Sequence, residues 1–186
     1  MKSWDYLCLG IGSLLILLAV TWFQHAPGYM DAEYYYTTAM RLANGQGLTE
    51  PFLWNYLGES LTLPHPSHGY WMPLASFLSL FGMILTGSTG FSAARVGFLL
   101  VGASLSPLTA ALTYSLTERR NQALMAGIWA CLSSFYLPFL TTTDTFGIYM
   151  LCGGVFFLLL NHRENKLFPI GLGLLAGFMH LSRADG

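Results

Sequence analysis

Apolar residues gather into blocks at 6–23, 69–85, 92–116, 123–140, 146–160 and 167–181, and one long polar stretch at 24–68 interrupts them. At 1.5 Å per residue the first block just covers a hydrocarbon core of about 30 Å, which predicts a membrane helix. A secretory signal is the rival reading. The small-residue cleavage pattern is missing, because Val20-Thr21-Trp22-Phe23-Gln24 is bulky, so the helix is expected to be retained. Residues 92–116 form a full-length span with Arg95 at one end and Pro107 inside, and 69–85 is a shorter block with Pro73 near its start.

Inside the polar stretch, 31–43 has amphipathic helical spacing and stops at Asn44-Gly45-Gln46-Gly47, a good terminator. Residues 48–68 carry Pro51, Pro64 and Pro66 and are expected to be mostly loop. No internal repeat or low-complexity tract occurs.

Charge sets an expected topology. Lys2, the pair Arg119-Arg120, and Arg163 with Lys166 mark three polar edges, which the positive-inside rule assigns to the cytoplasm. The parity holds only if 69–85 rests in the outer interface without crossing, anchored by Tyr70, Trp71 and Phe77. Five spans follow, at 6–23, 92–116, 121–142, 144–161 and 167–182. The expectation is an all-α polytopic membrane protein forming a single domain, multi-pass in the cell membrane. Residues 24–91 make a large external loop carrying two juxtamembrane helices. Asp31, Glu33, Glu50, Glu59, Asp144 and Asp185 then share the outer face, six of the nine acidic residues.

Composition agrees with lipid. The 186 residues are 54% hydrophobic and only 9% charged, with mean hydropathy +0.51, against about 25% charged in soluble domains. A net charge of −1 argues against nucleic acid, whose phosphates need a basic surface. Cys8, Cys131 and Cys152 fall in apolar runs without metal or CxxC spacing, so they read as small core or lipid-facing residues.

Each chemical candidate admits a bland reading beside a functional one. Asp31 is either a helix N-cap or a general base at the membrane surface. Glu33 lies off its face and is a supporting group or a solvated one. Asp144, in Thr143-Asp144-Thr145 where one span exits and the next begins, is either part of a cap or a functional acid, since acidic groups at membrane depth usually have a partner or a task. His65 and His68 are solvated loop residues, metal ligands or phosphate contacts. Arg95 and Arg183 at outer span ends either snorkel or bind a lipid phosphate bidentately. No phosphate-binding glycine loop, nucleophile elbow or dinucleotide fingerprint is present.

In order and spacing, several stretches resemble the start of the GT-C glycosyltransferases, closest to protein O-mannosyltransferases and aminoarabinose transferases. They are Asp31-Ala32-Glu33-Tyr34-Tyr35; His65 to Trp71 running on to Leu80-Phe81-Gly82; Ala93-Ala94-Arg95; Thr143-Asp144-Thr145-Phe146; and the glycine-rich run from Gly171 to Arg183. The resemblance implies transfer of a sugar from a polyprenyl-phosphate donor to a lipid, glycan or protein acceptor on the outer face. It puts Asp31 at the catalytic-base position and Asp144 at a second acidic position, with Arg95 and Arg183 as basic groups for the donor phosphate. His65 stands where the family often has lysine. The mechanism implied is a single in-line displacement with inversion. A divalent ion is compatible with these residues without being demanded by them. Family members continue with further helices, so the resemblance implies a front portion that is inactive alone. A transporter or a non-catalytic scaffold is the competing class. Transporters tend to show repeats, broken helices and midplane polar groups, features this sequence does not display.

Overall fold

The computed structural model describes residues 1–53, 62–133, 135–160 and 167–185; Glu59, Arg163 and Lys166 lie outside the described residues. The chain is mostly helical. In order come α1 (Ser3–Thr21), α2 (Met30–Ala43), β1 (Thr49–Glu50), β2 (His65–Pro66), α3 (Leu74–Thr86), α4 (Phe91–Ala94), α5 (Val96–Thr117), α6 (Arg120–Cys131), α7 (Leu137–Leu140), α8 (Phe146–Leu159) and α9 (Phe168–Ser182).

Among the described residues two helical stretches, Ser3–Thr21 and Phe91–Thr117 (α4 running into α5), are long and apolar enough to cross a membrane. The block at 123–140, expected as one span, breaks instead between α6 and α7. Leu132 N–H bonds to both Ile128 and Trp129 carbonyls, and the Ser133 hydroxyl takes the Ala130 carbonyl at 2.9 Å. A side chain that competes for backbone carbonyls loosens the last turn. Pro138 then restarts the helix at its first turn, where a missing N–H costs nothing.

The central helix is α5, packed on α1, α6 and α8, with α9 on the far side of α8. Small residues permit this close approach. A Cβ on Gly102 would stand 2.9 Å from Leu17, one on Gly127 2.7 Å from Leu9, and one on Gly154 2.4 Å from Leu108. Together with Gly10 near Pro107, Gly147 near Val101 and Asp5 bound to Arg120, these contacts fix directions, with α1 antiparallel to α5 and parallel to α6, and α8 parallel to α5. Arg120 forks onto Asp5 at 2.9 and 2.6 Å, joining the N-terminal ends of α1 and α6. At the opposite end Arg95 donates to the Gln24 carbonyl at 2.7 Å, joining the exit of α1 to the entry of α5. The bundle therefore has two chemically distinct ends.

Above the Gln24 end lie α2 and α3, packed on each other, with α3 also touching α4, α5 and α9. At 13 residues α3 is about 20 Å long, short of a bilayer core. One face of it is buried through Ala75, Ser76, Ser79, Gly82 and Met83, while Phe77, Phe81, Ile84 and Leu85 are exposed. Residues 48–68, expected as loop, contain among their described residues a minimal antiparallel ladder in which Glu50 faces His65.

Candidate functional site

Residues 24–32 and 141–145 are sewn together by threonine hydroxyls. Thr141 Oγ1 donates to Gln24 Oε1 at 2.7 Å, Thr142 Oγ1 to the Pro27 carbonyl at 2.9 Å, and Thr143 Oγ1 to the Ala32 carbonyl at 2.7 Å. All three threonines are fully buried. Interior hydroxyls need partners, and these find theirs on a segment more than a hundred residues away in sequence. Asp31 and Asp144 are thereby brought to one place.

The two carboxylates differ in environment. Asp144 is 2% exposed and accepts from the Tyr29 hydroxyl, the Thr145 N–H and, at 3.0 Å, the Thr145 hydroxyl. Burial and the adjacent Asp144 charge push the Tyr29 phenol well above its usual range, so it remains a donor. Asp31 is half-buried in the first turn of α2 and carries no hydrogen bond among the described residues. Burial first, then the Asp144 charge, raises its carboxyl above the ordinary value, and Arg183 partly offsets this.

The capping readings of the sequence are thus answered locally. The residue that caps α2 is Tyr29, and Thr145 occupies the cap of α8, in both cases without a side-chain cap bond.

In front of Asp31 opens a cleft of about 430 Å³. Asp31, Tyr35, Tyr70, Trp71, Arg183 and Asp185 are among its lining residues. Arg183 follows the end of α9, which is tied down where the buried Ser182 hydroxyl donates to the Thr145 carbonyl at 3.4 Å. Its guanidinium lies 5.7 Å over the Phe146 ring and pairs with Asp185 at 3.0 Å.

The remaining sequence candidates sit elsewhere. Glu33 is exposed on another face of α2, accepting from Thr37 at 3.3 Å, and borders a separate groove with Met30, Phe52 and Leu53. His65 pairs with buried Glu50 at 3.2 Å and contacts the Phe52 carbonyl at 2.9 Å. Burial raises the Glu50 carboxyl, with His65 opposing. His68 is behind the cleft wall, against Tyr34 and Tyr35. Arg95 is 9% exposed, bound to the Gln24 carbonyl and 5.0 Å over the Phe91 ring. Among the described residues no group of three or more His, Cys, Asp or Glu is placed to hold a metal ion.

Reading the sequence did not single out Tyr29, Tyr35, Thr141 to Thr143 or Ser182. Only the unbroken run of threonines before Asp144 was a usable signal, since consecutive hydroxyls in an apolar chain demand acceptors.

No protein-family model, no curated protein and no solved structure matches the chain.

Proposed function

We propose that the chain is a multi-pass membrane glycosyltransferase module of the GT-C type. It takes a sugar from a polyprenyl-phosphate donor and passes it to a lipid, glycan or protein acceptor at the outer face. The observation that carries this reading is the convergence of Asp31 and Arg183 on one cleft at one end of an apolar bundle, with the buried Asp144 close enough to act on the Asp31 carboxyl.

A membrane setting is supported by the outward apolar side chains. Leu7, Ile11, Leu15 and Leu18 on α1 are each 45% exposed or more, as are Ile170 and Leu174 on α9. Passes through α1, α5, α6 with α7, α8 and α9 leave Lys2, Arg119 and Arg120 at one end and the cleft at the other. That is the arrangement the positive-inside rule favours.

In the proposed reaction the acceptor hydroxyl lies between Asp31 and the anomeric carbon. Asp31, whose carboxylate accepts no hydrogen bond among the described residues, accepts the hydroxyl proton as oxygen attacks. The bond between the anomeric carbon and the phosphate oxygen breaks, and its electron pair leaves with the lipid phosphate. Arg183 stabilises that charge. Asp144 already accepts hydrogen bonds from Tyr29 and Thr145 on both of its oxygens. It therefore serves as a buried acidic neighbour that raises the Asp31 carboxyl and so keeps Asp31 a stronger base.

The test is transfer of labelled sugar from a polyprenyl-phosphate donor by a full-length version of the protein in proteoliposomes, with donor binding measured in parallel. Asp31→Asn is expected to lower transfer by about 10²–10⁴-fold at unchanged donor affinity. Arg183→Gln is expected to weaken donor binding. Wild-type transfer by Asp31→Asn overturns the assignment.

A further inference from the structure

The cleft has an aromatic wall that the transfer chemistry leaves unused. Tyr70 and Trp71 line it beside Asp31 and Arg183, with ring centroids 4.9 Å apart and planes at 75°. Tyr70 is 53% exposed, so its ring is presented to the opening.

The turn that carries this pair is built with care. His68 holds φ at +61°, a left-handed conformation that non-glycine residues seldom adopt. Its backbone N–H donates to the Tyr34 hydroxyl, and its Nδ1 donates to the Trp71 carbonyl at 2.9 Å, since that oxygen can only accept. The imidazole lies nearly parallel to Tyr35, 6.4 Å between centroids and 18° between planes, and meets Tyr34 edge-on at 5.3 Å. One ring therefore spaces Tyr35, on one wall of the cleft, from the turn that sets Trp71. Burial lowers the His68 pKa, which suits an internal spacer and not a phosphate contact.

An aromatic face beside a carboxylate and a guanidinium matches a polyhydroxylated ring. The C–H face of a sugar carries partial positive charge and meets the negative face of a phenol or indole. Its hydroxyls meanwhile find donors and acceptors in Arg183 and Asp185. We propose that Tyr70 and Trp71 form the stacking face for the transferred sugar, and that His68 is the positioning residue that holds it. This rests on the lipid-linked sugar reading above and assigns sugar recognition to the 68–71 turn.

The experiment uses the full chain in nanodiscs and two kinds of probe. One is a polyprenyl phosphate carrying glucose, mannose or galactose. The other is polyprenyl methyl phosphate, the same diester without a sugar. Wild type is expected to bind at least one sugar-bearing lipid roughly three- to tenfold more tightly than the methyl ester. Trp71→Leu should erase that preference and leave methyl-ester affinity unchanged, which also reports that the variant is folded. Trp71→Phe should keep most of the preference. His68→Asn, which retains an N–H donor but loses the ring, should lose part of it. Equal weakening of both probes by Trp71→Leu, or a preference that survives it, overturns the stacking face alone. Failure of wild type to bind either probe overturns the lipid-linked sugar reading and the stacking face with it.

Discussion

Gly82 lies where α3 crosses the α4 backbone, and Gly82→Ala probes whether that contact holds the cleft wall in place. An added Cβ would stand 2.3 Å from the Ala93 carbonyl oxygen and 3.1 Å from that of Ala94. Real Cβ contacts stay beyond 3.0 Å, so α3 must retreat by about 0.7 Å, the difference of the two distances. Both obstacles are backbone atoms of a buried turn and no side-chain rotation relieves them. Overpacking of this kind costs about 1–3 kcal/mol. For a chain of this length each kcal/mol moves Tm by about 2–4 °C, so a fall of roughly 2–12 °C is expected in detergent by differential scanning fluorimetry. Gly173→Ala is the matched control. Nothing lies within 4 Å of its Cβ position, and alanine is the better helix former. Its Tm should stay level or rise slightly. Because α3 begins just past Trp71, Gly82→Ala should also weaken binding of the sugar-bearing lipid. A Gly82→Ala protein that melts with wild type would refute the claimed seat of α3 on α4.

Three further outcomes follow from the site. Thr143→Val removes the hydroxyl that donates to the Ala32 carbonyl; it should cost about 0.5–1.5 kcal/mol by chemical unfolding and slow transfer without changing donor affinity. The folded chain raises the Asp31 carboxyl by burial and by the Asp144 charge, so it holds that proton more tightly than the unfolded chain does. The resulting stability is complete below the unfolded value and is lost as pH rises through the folded one. Asp31→Asn should therefore melt higher than wild type near neutral pH, with the gap closing on acidification. Wild-type transfer should rise with pH over the same window, and a flat profile would count against Asp31 as base. Finally, with Cys8, Cys131 and Cys152 replaced by serine, Ala26→Cys and Ala184→Cys should react with an impermeant maleimide on intact cells. Asn121→Cys should react only after permeabilisation; opposite accessibility of positions 26 and 184 would break the shared rim.

Local pattern was enough to mark the apolar blocks, the amphipathic helix that runs from Met30 to Ala43, and the shortness of the block that became α3. It was also enough to nominate Asp31, Asp144 and Arg183, because a charge at the edge of an apolar run is costly and stands out. These features depend on periodicity and composition, which neighbouring residues carry by themselves. The break between α6 and α7 was less visible, since it turns on whether Ser133 bonds to the helix behind it. The pairing of Asp31 with Asp144 was decided only in three dimensions. Any threonine hydroxyl can donate, and nothing in the run Thr141-Thr142-Thr143 says that its acceptors are Gln24, Pro27 and Ala32. The same holds for the dispersal of Glu33, His65, His68 and Arg95 away from the carboxylates. Tertiary packing chose which polar groups meet, because each buried group had to find a partner among those the folded chain brought within reach.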